Sequence, residues 1–73
     1  MADVKFDIWQ SIAPISKEKR GWVKELNLVA WNGNDPKYDI RAWSPDHTKV
    51  GKGVTLSREE LINLKKVLDE LLA

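Results

Sequence analysis

Seventy-three residues with a net charge of +1, no Cys and a single His make one small domain, 1–73, without a disulfide or a thiolate metal site. A chain this short buries only about 60% of its unfolded surface, so homodimerisation is the expected way to enlarge its core. The N-terminus lacks the pattern of a signal peptide, and no run reaches the ~18 apolar residues of a membrane span. The sequence therefore reads as soluble and cytoplasmic, with nucleoid association open to it.

Charge alone names no partner. Residues 57–73 carry a net −1 and residues 1–56 a net +2, too small a split to argue nucleic acid. The outlier is Trp, with four copies beside one Phe and one Tyr. Trp is large and its N–H wants an acceptor, so some of these rings are expected at the surface.

Val4 to Ile12 alternates: Phe6, Ile8 and Ile12 share one parity, which predicts a half-buried strand. Ala13 to Arg20 breaks the pattern at Pro14 and reads as a charged, solvated connector, with a basic flap over a phosphate backbone as its functional alternative. Gly21 to Asn32 is the second strand. Leu26, Leu28 and Ala30 point one way; Glu25, Asn27, Val29 and Trp31 point the other. Trp22 and Lys24 fall on the apolar parity. That is awkward for Lys24, so the strand either bulges near Glu25 or runs past the edge of the core.

Asn32-Gly33-Asn34-Asp35-Pro36 predicts a hairpin, because Asn-Gly tolerates positive φ. The third strand is Lys37 to Trp43, with Lys37, Asp39, Arg41 and Trp43 on one face. Ser44-Pro45-Asp46-His47 suits a type I turn with Pro in second position. The fourth strand spans roughly Thr48 to Leu56. Its Gly51 and Gly53 predict a bulge or a close backbone approach. Ser57 and Glu60 form a capping box before a helix over 58–72. Leu61, Leu64, Val67, Leu68, Leu71 and Leu72 make an apolar stripe about 140° wide, more than one sheet face covers, and a symmetry mate is the simplest second partner.

The predicted fold class is α+β: a four-stranded antiparallel sheet followed by one C-terminal helix, β-β-β-β-α. One sheet face is apolar and takes the helix. The other carries Trp9, Asn27, Trp31, Lys37, Arg41 and Trp43. Aromatic rings interleaved with cations suit unpaired bases, which stack on the rings while Lys or Arg meets the phosphates. Duplex DNA would favour a helix in the major groove, and this helix is too apolar for that.

Asp39-Ile40-Arg41, then Trp43, then Lys52-Gly53-Val54-Thr55-Leu56-Ser57 and a Leu-rich helix resemble the positive cofactor four type of transcriptional coactivator, and within it the bacterial YdbC-like branch. The resemblance covers roughly Gly21 to Leu72. It implies a strongly curved sheet, a homodimer and single-stranded DNA held with little sequence preference. It implies Arg41 and Lys52 on the backbone, Trp43 on a base and, approximately, Trp31 near the hairpin. Contact with a transcription machinery belongs to the same implication. The candidate nucleic-acid contacts are thus Lys24, Asn27, Trp31, Lys37, Arg41, Trp43 and Lys52.

Other chemistry finds little support. One turn His beside Asp46 is a poor ligand set for a metal, no nucleophile–base–acid set can be read, and no cofactor is implied. Gly51-Lys52-Gly53 lacks the spacing of a phosphate loop and reads as a bulged strand with a Lys near a phosphate. Asp39 is expected to pair with Arg41 or a neighbouring Lys. Trp22 reads as packed at least as readily as functional. Two alternatives use the same face: RNA in place of DNA, or a peptide gripped by exposed Trp rings.

Overall fold

The computed structural model describes residues 5–73. Four strands and a helix follow in the expected order: β1 (Phe6–Lys17), β2 (Val23–Trp31), β3 (Lys37–Trp43), β4 (Val50–Leu56) and α1 (Arg58–Leu71). The sheet is an antiparallel meander in the order β1-β2-β3-β4, so β1 and β4 are its free edges. The expected start of the first strand at Val4 lies outside the described residues.

β1 departs from its predicted form. It continues through Pro14 to Lys17, where the sequence suggested a connector. Its register against β2 slips three times, between Ile8 and Gln10, Ser11 and Ala13, and Pro14 and Ser16. The residues skipped are Trp9, Ile12 and Ile15, one in every three. Each bulge inserts a residue and bends the strand, so no single alternation runs through β1. Pro14 is tolerated because an edge strand needs only half its backbone groups in the ladder.

The β2–β3 hairpin is built as Asn32-Gly33 predicts. Both have positive φ, 51° and 77°, and Asn34 N–H donates to Trp31 O at 2.9 Å. These are the signs of a type I′ turn, after which Asn34 to Pro36 complete a longer connection, since the β2–β3 ladder closes at Val29 and Lys37. At the next turn Pro45 occupies the second position, and His47 N–H donates to Ser44 O at 2.9 Å. β4 then carries the predicted irregularity: Arg41 pairs with Gly53 and Trp43 with Val50, which leaves one residue extra in the Gly51–Lys52 segment.

The helix begins on the capping box. Ser57 Oγ accepts from Glu60 N–H at 3.1 Å, and Ser57 N–H donates to Glu60 Oε1 at 2.8 Å. Those bonds hold the Glu60 carboxyl below its usual range, the Ser57 backbone N–H contributing most. α1 lies against the face that carries Leu26 and Ile40, and a cleft of about 480 Å³ stays open between them, lined also by Leu61, Leu64 and Leu68. No helix residue is buried. Leu71 and Leu72 are 71% and 77% exposed.

The core lies on the other face. Register places Val23, Glu25, Asn27, Val29 and Trp31 on the same side as Lys37, Asp39, Arg41 and Trp43. There Val29 and Trp43 are fully buried. Trp31 stands eight residues from Val23, the partner of Trp43, about 26 Å away on a flat sheet. Yet the two indole centroids are 6.2 Å apart, and Phe6 from β1 packs 5.0 Å from Trp43 and 5.7 Å from Trp31. Only a strongly curled sheet brings its two ends together in this way. Its concave face closes over its own aromatics.

Candidate nucleic-acid interface

The concave face is held by two polar networks. In the first, Arg41 Nε donates to Asp39 Oδ1 at 2.7 Å and its Nη2 to Oδ2 at 2.8 Å, a bidentate pair on a fully buried carboxylate. Nη1 donates to Gly51 O at 3.3 Å. These bonds fix the guanidinium plane 4.5 Å over the Trp31 ring, a separation at which a cation is attracted to the ring face. Gly53 is required for this: a Cβ there would overlap Arg41 Cβ and the Ile40 carbonyl.

In the second network, His47 Nε2 donates to the Glu25 carboxylate at 3.0 and 3.1 Å, and its ring stacks 5.5 Å from Trp43. Asn27 Nδ2 donates to Glu25 Oε1 at 2.9 Å, and Asn27 Oδ1 accepts from Ile12 N–H at 3.3 Å. The network fastens the β3–β4 turn to β2 and to the second bulge of β1. It closes the end of the concave face where Trp43 sits.

At the opposite end the face is open. Trp31, Asn34, Asp35, Lys37, Arg41 and Thr55 surround a recess of about 290 Å³. Its floor is the half-exposed Trp31 indole, backed by Trp43 and overlaid by Arg41. Lys37 is exposed on its rim, and Lys52 is exposed on β4. The recess is close to charge balance, since Lys37 and Arg41 face Asp35 and Asp39.

The predicted contacts therefore divide. Trp31, Lys37 and Arg41 meet at one recess. Lys52 is solvent-accessible on the neighbouring edge strand. Trp43, expected on a base, is 0% exposed; the curl turns that end of the face inward, so Trp43 is core. Asn27 is also buried, its amide committed to Glu25 and Ile12. Lys24 pairs with Ala42 and Ser16 on the convex, helix-side face, away from Arg41. No bulge occurs at Glu25 in β2, so β2 simply runs past the part of the face that the helix covers. Trp9, placed with the binding face by alternation, is a bulge residue, 64% exposed. Arg41 is anchored rather than free, with three of its five N–H donors spent inside the protein.

Three lining residues escaped sequence reasoning: Asn34, Asp35 and Thr55. The first two read only as turn formers. Thr55 was legible in principle, because it faces Asp39 across the ladder. His47 is legible in the sequence only as a turn residue; its Glu25 partner is 22 residues away, beyond any local pattern. The expected pairing of Asp39 with Arg41 is present.

Comparison with known proteins agrees with this architecture. The sequence model of the family described as Transcriptional Coactivator p15 (PC4) matches residues 17–67, from the end of β1 into α1. An uncharacterised protein of Treponema pallidum (strain Nichols) is 44% identical over 69 residues, covering 94% of this chain and 81% of that protein. With most of its length matched, including the Asp39–Arg41 pair, the glycine-bulged β4 and the capped helix, the chain belongs to the Transcriptional Coactivator p15 (PC4) family.

Proposed function

We propose that this chain binds single-stranded DNA with little sequence preference, as a homodimer, and that the recess over Trp31 receives a base. The observation that carries the reading is the Trp31 floor overlaid by a fixed Arg41, with exposed Lys37 on the rim. Flat groups already stack there, and an incoming base extends the stack. Such contacts tolerate any base because every base has a π-face. The recess presents no helix to a groove, which disfavours duplex. The homodimer is supported by the exposed leucines of α1 and the apolar cleft beside them. The family's description extends the reading to transcription regulation.

Three variants test it. Trp31→Ala is expected to cost about 1–3 kcal/mol of oligonucleotide binding. Lys37→Ala is expected to lower the slope of log K against log salt by about 0.7, the share of one phosphate on a single strand, with stability unchanged. Trp43→Ala is expected to act on folding instead, at about 3–5 kcal/mol in denaturant titration. A folded Trp31→Ala protein that binds as tightly as the parent would remove the base from this recess.

A further inference from the structure

The recess over Trp31 is nearly charge-balanced, yet a bound single strand brings one phosphate per nucleotide. Cations are concentrated elsewhere. Lys17 and Lys19, with Lys49 from the β3–β4 turn, line the hollows beside Trp22 against Glu18 and Asp46, and Arg20 and Lys24 flank Trp22 in sequence, in a chain whose net charge is +1. Among the described residues none of these five cations forms an ion pair. The half-exposed Trp22 ring is a wall shared by two shallow hollows, one lined by Lys17 and Lys19 and the other by Lys49. A flat aromatic ringed by free lysines meets the physical requirements of a single-strand platform.

This platform and the recess lie on opposite faces of the sheet, and one residue touches both. Gly51 O accepts from Arg41 Nη1 at 3.3 Å on the concave side. A Cβ on Gly51 would stand 3.7 Å from Trp22 Cζ3 on the convex side. The surfaces are thus separated by the thickness of β4 alone. β4 is a free edge, and at the crossing it carries two glycines around the exposed Lys52. Absent side chains let another backbone approach closely.

We propose that the bound single strand crosses the edge of β4 at Lys52 and continues onto the basic platform around Trp22. The phosphates it meets there are neutralised by Lys17, Lys19 and Lys49. The inference rests on the reading of the Trp31 recess as the base site. It makes the protein's footprint longer than that recess, and it assigns most of the salt dependence to the platform.

The test uses the indole N–H signals of the ¹⁵N-labelled full chain, titrated with oligothymidylates of about 4 and about 16 nucleotides, the span of single-fold site sizes. The short strand is expected to shift Trp31 alone, the long one Trp31 and Trp22. The Lys17→Ala/Lys19→Ala protein is expected to lose about 1.4 from its salt slope for the long strand, two phosphates' worth, and nothing for the short one. An unmoved Trp43 signal certifies that the variant is folded, and Lys49→Ala gives an independent second readout, with a loss of about 0.7. If Trp31 shifts with the long strand while Trp22 and both slopes stay fixed, the strand ends at the recess and the platform is wrong. Silence from both indoles would instead overturn the recess reading beneath it.

Discussion

Asp46 organises the β3–β4 turn. Its Oδ1 accepts from Thr48 Oγ1 at 2.7 Å, from Thr48 N–H at 3.1 Å and from Ser44 Oγ at 2.9 Å. These bonds, the Thr48 hydroxyl first, lower its pKa from 3.8 to about 2. A depressed carboxyl stabilises the fold above its unfolded pKa and loses that contribution as pH falls through the folded one. Denaturation midpoints of the parent should therefore decline between about pH 4 and pH 2 more steeply than those of Asp46→Asn. Parallel profiles would show that the turn does not depend on this charge. Asp46 was readable only as a turn former, because the turn type is local in sequence while the bonds depend on how Ser44 and Thr48 face it. The same limit explains Trp43. Alternation assigns a residue to a sheet face, but not to a face that curls closed. Asp39–Arg41 was legible for the converse reason: i and i+2 on one strand always share a side.

Among the elements, β2, β3, β4 and the capped helix were legible from alternation, Asn-Gly, the paired glycines and Ser57/Glu60. β1 was not. Bulges at Trp9, Ile12 and Ile15 scramble its parity, and Pro14 imitates a strand end. Those bulges also blunt an edge that would otherwise invite pairing with another strand. α1 leaves its Leu stripe uncovered in the single chain. Burying Leu71 or Leu72 against a second copy would contribute up to roughly 1.5–3 kcal/mol each, and the less exposed Leu68 a smaller share. Sedimentation is expected to report a dimer for the parent and a monomer for Leu68→Glu/Leu71→Glu. A parent that sediments as a monomer at all concentrations would contradict the proposed assembly.

At the scale of the molecule, the radius of gyration is 13.2 Å, against about 11 Å for a compact chain of this length. The excess reflects a curled sheet with its aromatic core on the concave side and a helix standing off the convex side. The short length implies a small core, and only Val29, Ala30 and Trp43 are buried hydrophobics among the described residues. Where that core lies was not legible, because curvature is set jointly by bulges, glycines and cross-sheet aromatic contacts. It also divides the concave face: the closed end packs Trp43, and the open end presents Trp31.

The direct test of single-strand binding is a Trp-fluorescence titration with a mixed-sequence single strand of about 16 nucleotides and with its duplex, at low and moderate salt. Quenching by the single strand alone, weakening as salt rises, is the predicted result. An unchanged signal with the single strand, or equal quenching by the duplex, would contradict it.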